Sequence, residues 1–176
     1  MKIYVARHGE TEWNARNKIC GRTDLPLTAR GLEQARELAE KMADKKLDLI
    51  ISSPMIRARQ TAAAVSEVTG VQVLIDVRLI EQDFGDFEGM DRGTPEYLEN
   101  KRRFAYRYPN GESQMQVAHR VYGFLAELKA RYPEGNILLT CHGGVCRVIR
   151  TYFEDMTNEE YFLFSEENAN AREYEL

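Results

Sequence analysis

Two of the three histidines, His8 and His142, each follow an apolar run directly and each precede glycine, in A-R-H-G (6–9) and T-C-H-G-G (140–144). A neutral imidazole can attack phosphorus, and an ordinary pKa near ~6.5 leaves it neutral at cell pH. Arg7 abuts His8, and Arg57 falls one turn into a helix that begins after another apolar run. Two guanidiniums beside two imidazoles make a pocket suited to phosphate, and the arginines further disfavour imidazolium. A single histidine after a strand is more often an ordinary loop residue. Two at equivalent places, each with a glycine that lets a ligand approach the backbone, point to a site. The third, His119, sits between Ala118 and Arg120 within a helical pattern and reads as a surface residue. Zinc is the rival ligand, on two histidines plus a carboxylate, but adjacent arginines repel a cation.

These residues need a scaffold, and the hydrophobic pattern supplies one. Short apolar strands are expected at 2–6, 47–52, 72–75, 136–141 and 171–176. Between them lie helical patterns. Thr28 caps one whose apolar positions are Leu32, Ala35, Ala39 and Met42. Ser53-Pro54 starts a second that runs to Thr69 and stops at Gly70. Ser113-x-x-Gln116 is a capping box ahead of Val117, Val121, Phe124 and Leu128, and Thr157-x-x-Glu160 is another. A further helix spans 145–153. The segment 9–27 reads as a polar, irregular stretch. The segment 90–110 is an insertion in which Thr94-Pro95 suggests a helix start. Strands alternating with helices predict a three-layer α/β/α sandwich around a mostly parallel sheet, with a short helical insertion. Ligands bind such sheets beyond the carboxyl ends of strands, where Arg7-His8, Ser52-Ser53 and Cys141-His142 fall.

Bulk properties narrow the partners. A chain of 176 residues reads as one domain able to bury roughly 70% of its unfolded surface. At 43% hydrophobic and 30% charged residues it is a soluble globular composition. No run approaches the ~18 apolar residues of a membrane helix, and Arg7 interrupts any signal peptide. The three cysteines are too few and too irregular for a disulfide framework, which suggests a cytoplasmic protein with reduced thiols. A net charge of -4 argues against nucleic acid as a partner. The acids after residue 153 read as a solvated surface, and the cluster Lys101, Arg102, Arg103 and Arg107 reads either as that or as a binding surface for an acidic substrate.

The ordered motifs resemble the histidine phosphatase superfamily, also called the phosphoglycerate mutase-like family. They are R-H-G-E-T (7–11), G-R-T-D-L-P-L-T (21–28), S-S-P-M-I-R-A-R-Q-T (52–61), L-I-E-Q-D-F-G-D-F-E-G (79–89), P-N-G-E-S (109–113) and C-H-G-G (141–144), spread over nearly the whole chain. The resemblance implies that His8 takes the phosphoryl group as phosphohistidine, that Arg7, Arg57 and His142 hold its oxygens, and that Glu81 protonates the leaving oxygen. It implies further hydrogen bonds from Thr11, Asn14 and the Gly143 amide, with Gly21 and Thr23 lining the mouth of the site. No metal or other cofactor is expected, the partner is a small phosphate ester, and dimers are common in the family. Among the acids of the 83–91 loop, Glu88 reads as structural, and Trp13, Phe84 and Phe87 as packing groups.

The same catalytic set serves mutases and phosphatases, which differ in whether water reaches the phosphohistidine. Mutases of the family carry a long insertion before G-E-S and a closing tail. The insertion here is 21 residues and the chain stops on its last strand, which favours a phosphatase. The F-G-x-F-E-G form of the acid loop looks like the α-ribazole phosphatase and broad-specificity branch. The alternatives are a phosphoglycerate mutase and a non-catalytic phospho-ligand binder, the latter opposed by the presence of all five core residues.

Overall fold

The computed structural model describes residues 1–176. Five strands, β1 (Lys2–Arg7), β2 (Leu49–Ser52), β3 (Val73–Ile75), β4 (Asn136–Cys141) and β5 (Ala171–Glu175), form one sheet of order β3-β2-β4-β1-β5. All pairs are parallel except β1–β5, which closes one edge antiparallel. The inner strands are buried on both faces, as a parallel sheet covered by helices requires.

Side chains alternate between two cores with the period of 2 that a strand imposes. Ile3, Val5, Ile137, Leu139 and Cys141 point to one face, where α5 (Gln114–Arg131) and α6 (Gly143–Phe153) pack. Tyr4, Ala6, Ile50 and Leu138 point to the other, covered by α2 (Ala29–Met42) and α3 (Ile56–Thr69). This is the expected three-layer sandwich. The insertion carries α4 (Pro95–Lys101), whose Tyr97 joins Ile19, Phe84 and Tyr108 in a third, aromatic cluster. The short α7 (Asn158–Leu163) begins at the expected Thr157 capping box. No helix is long and apolar enough to cross a membrane.

Three local expectations fail for physical reasons. The 9–27 stretch contains a one-turn helix, α1 (Glu12–Ala15), held by a Thr11–Asn14 capping box too short to leave a periodic signal. Leu32 is exposed, because Gly31, Ala35, Leu38, Ala39 and Met42 make the buried face of α2. Gly31 sits where any Cβ would strike the Glu10 carbonyl, so α2 packs backbone-close against the loop carrying His8. Finally, α3 starts at Ile56 rather than after Ser53. The Ser53 hydroxyl lies 2.7 Å from His142 Nε2 and meets the Met55 amide at 3.4 Å, ahead of the first helical turn.

Candidate active site

Strand register assembles the site. Arg7 pairs with Cys141 and Ala6 with Thr140, while Ser52 pairs with Thr140 from the other side. The residues that follow, His8, His142 and Ser53, are therefore neighbours at one sheet edge. The two imidazole centroids lie 5.1 Å apart, edge to face.

His8 Nδ1 is 2.6 Å from the Gly9 carbonyl oxygen. A carbonyl only accepts, so Nδ1 carries the proton and Nε2 the lone pair. Arg57, fully buried on the first turn of α3, donates Nε–H to that Nε2 at 3.2 Å. Its other nitrogens donate to the Thr23 carbonyl at 2.9 Å and the Gly21 carbonyl at 2.6 Å. Arg7 donates to the Glu166 carbonyl at 2.7 Å, and its Nε is buried without a partner. His142 Nε2 lies 2.7 Å from Ser53 Oγ, and its Nδ1 is likewise buried and unpartnered. Asn14 Nδ2 is a third such donor. A pocket with three buried unsatisfied nitrogens beside an imidazole whose lone pair meets only the Arg57 guanidinium is built for a ligand rich in acceptor oxygens.

Burial pushes both imidazoles well below the ordinary value near 6.5. Arg57 and then Arg7 add to this at His8, and Arg57, His8 and Arg7 add to it at His142. Both rings are neutral at pH 7. The unfolded chain binds more protons than the folded one as pH falls below 6.5, so the stability held above that pH is lost on acidification. The pair is expected to contribute a slope of up to about 2.7 kcal/mol per pH unit there. Urea unfolding at pH 7 and 5.5 checks it: His142→Asn should lose less stability over the interval than wild type, and an equal loss would contradict the buried-neutral reading.

Glu81 is 5% exposed, and its carboxylate is held by the Gly144 amide at 3.0 Å and the Gln82 amide at 2.8 Å. A Cβ on Gly144 would collide with it. Behind the loop, Arg120 donates to the Arg78 and Glu81 carbonyls and pairs with Glu112. Asp83 turns away toward Arg22 and the Gly85 amide.

The pocket is narrow, about 50 Å³, and its wall includes Arg7, His8, Asn14, Glu81 and Gly143 from the expected set. Arg57 and His142 lie beneath it, fully buried. Thr11, Gly21 and Thr23 are not on the wall. Thr11 caps α1, and the carbonyls of Gly21 and Thr23 grip Arg57. Glu88 accepts from the amides of Gly21, Arg22 and Thr23 and from the Thr23 hydroxyl, so it shapes the loop that holds Arg57. Glu88→Ala is expected to lower kcat/KM by roughly 10²-fold through misplacement of that guanidinium. A loss under twofold in steady-state assays would show that the loop holds Arg57 unaided.

The basic cluster splits: Lys101 reaches the wall, whereas Arg102 pairs with Glu159 and Arg103 with Glu99, and Arg107 lies off the wall. Sequence reasoning passed over Arg92, Arg147, Tyr97 and Tyr108 on that wall. Arg147 had a signal, since it sits one turn into the helix after His142, as Arg57 does after Ser53. No group of three or more His, Cys, Asp or Glu side chains is placed to hold a metal.

The profile of the histidine phosphatase superfamily (branch 1) matches residues 3–176. The chain belongs to that superfamily. A Bacillus subtilis relative named "Uncharacterized phosphatase PhoE" is 36% identical over 151 residues, covering 85% of this chain and 75% of the relative. An Enterobacter relative named "Probable phosphoglycerate mutase GpmB" is 38% identical over 151 residues, covering 81% and 70%. A solved Escherichia coli chain with a provisional alpha-ribazole-5'-P phosphatase name superposes with a TM-score of 0.86 at 29% identity, covering 98% of this chain and 89% of its own. This superfamily member thus has phosphatase-named and mutase-named relatives on the same fold.

Proposed function

We propose that the chain is a cytoplasmic, metal-independent phosphomonoesterase for small phosphorylated metabolites, working through a phosphohistidine at His8. The observation that carries the reading is the His8 tautomer: the Gly9 carbonyl holds the proton on Nδ1 and leaves the lone pair on Nε2, where the Arg57 Nε–H meets it, in a ring on the pocket wall. The phosphatase names among the relatives support the reaction class.

An entering phosphoryl group takes over the Arg57 Nε–H that Nε2 accepts in its absence, so the same donor that occupies the nucleophile then binds the electrophile. Arg7 Nε, Asn14 Nδ2 and His142 Nδ1 supply further donors. His142 can donate from Nδ1 because Ser53 Oγ, which accepts from the Met55 amide, is free to give its own proton to Nε2. These fixed donors, two of them on guanidiniums, stabilise the charge on the transferring phosphoryl oxygens, which is most of what phosphoryl transfer asks of a protein. Glu81 gives a proton to the leaving alkoxide and then takes one from the water that attacks phosphohistidine.

The mutase alternative draws on the GpmB-named relatives. It needs a pocket that keeps water from the phosphohistidine, and one short helix is all that the insertion adds here. Two assays decide. Turnover of p-nitrophenyl phosphate in EDTA is expected to equal that with divalent cations added; loss on chelation with recovery on readdition would overturn the metal-free reading. Release of inorganic phosphate from 3-phosphoglycerate without a bisphosphate then separates hydrolysis from isomerisation.

A further inference from the structure

We infer that Arg92, Lys101 and Arg147 form a second anion subsite beside the phosphoryl pocket, so that the substrate is a phosphomonoester bearing another anionic group, a carboxylate or a second phosphate. This rests on the phosphomonoesterase reading and names its substrate class.

Four cations, Arg7, Arg92, Lys101 and Arg147, stand on the pocket wall, and Glu81 is the only acid there. A phosphate monoester brings close to two negative charges at neutral pH, which Arg7 and the underlying Arg57 balance. Three cations remain. None of them makes an ion pair, although eleven ion pairs occur elsewhere in the chain. Arg92 spends only Nε, on the Lys18 carbonyl at 3.0 Å. Arg147 Nε is buried without a partner, and its guanidinium has just the Tyr161 ring at 5.3 Å. Lys101 Nζ has just the Phe162 ring at 4.6 Å.

The contrast with the adjacent residues is informative. Arg102 and Arg103 follow Lys101 directly and both are paired on the outer surface. Unpaired arginines and lysines on an open surface are unremarkable, but these converge in a narrow cavity. Lys101 shows the strain of that arrangement: burial, and then Arg147 and Arg92, pull its ammonium down to about 8. Clustered like charges with no internal counter-ion are costly when partly desolvated. A ligand anion removes the cost and gains charge-assisted hydrogen bonds from two guanidiniums and an ammonium.

Matched ester pairs test the subsite. In 3-phosphoglycerate a carboxylate stands where glycerol 3-phosphate has a hydroxymethyl group, and fructose 1,6-bisphosphate adds a phosphate to fructose 6-phosphate. Wild-type kcat/KM should favour the anionic member of at least one pair by 10-fold or more, and the pair that shows it names the anion. In Arg147→Gln and Lys101→Gln that ratio should fall toward one. Ratios near one for both pairs in wild type, with p-nitrophenyl phosphate turned over, would overturn the subsite and leave the phosphatase reading standing. If no ester is turned over, the phosphatase reading fails, and calorimetric binding of 3-phosphoglycerate against glycerol 3-phosphate decides the subsite alone: tighter binding of the former, lost in Arg147→Gln, supports it, and equal binding refutes it.

Discussion

His8→Ala is expected to lose turnover of every phosphate ester by a factor on the order of 10⁴–10⁶, the scale seen when a covalent nucleophile is removed. Two further consequences follow from the position of the ring. The variant should form no acid-labile phosphoenzyme, because the phosphorus acceptor is gone. It should also stay folded near neutral pH, since the imidazole is neutral there and its loss strands only the Arg57 Nε donor and the Gly9 carbonyl. Circular dichroism at pH 7.5, together with single-turnover labelling by a radioactive phosphate ester, makes the check. Retained labelling would move the nucleophile to another group, with the neighbouring His142 the first to examine.

The second large effect concerns Glu81. Glu81→Gln should slow phosphohistidine formation from alkyl phosphates by about 10²–10⁴-fold while slowing it far less for p-nitrophenyl phosphate, whose leaving group departs with little protonation. Steady-state rates can hide the difference, because in the proposed mechanism Glu81 also serves the hydrolysis of the phosphoenzyme from both substrates. The single-turnover rate of the first transfer is the quantity to compare. Equal losses would mean that Glu81 positions rather than protonates. The structure narrows the substitutes for it: Asp83 faces Arg22, and Glu88 is spent on the 21–23 amides. Glutamine at 81 keeps an oxygen for one of the two amides that hold the carboxylate, so the loop should remain in place.

What the sequence revealed and concealed has a physical pattern. The sheet was legible because strands buried on both faces leave continuous apolar runs, as Ile3–Ala6 and Ile137–Leu139 do. The phosphoryl pocket followed from it, since chemistry at the ends of parallel strands needs only short-range reading: Arg7 and His8 are adjacent, and Arg57 is four residues past Ser53. Long-range pairings left no such trace. That Glu88 holds the loop whose carbonyls grip Arg57, or that Arg120 ties down the Glu81 loop, depends on contacts dozens of residues apart. The basic cluster could not be divided from the sequence for a related reason. Lys101, Arg102 and Arg103 are consecutive, but a helix end turns successive side chains different ways, and only Lys101 reaches the pocket. Its companions there, Arg92 and Arg147, come from separate segments and could be grouped only by the fold. Cys141 and Cys146 show the same effect on a smaller scale, their sulfurs 3.5 Å apart in the core behind His142.

The covalent route through His8 is the centre of this account, and the stereochemical course at phosphorus tests it most directly. A monoester made chiral at phosphorus with oxygen isotopes is hydrolysed, and the configuration of the phosphoryl group is followed by transfer to an acceptor alcohol. Two in-line displacements, one by His8 Nε2 and one by the acceptor, each invert the centre, so the account predicts net retention. Net inversion would mean that the acceptor attacks the ester directly, with His8 serving only as a neutral member of the phosphate pocket.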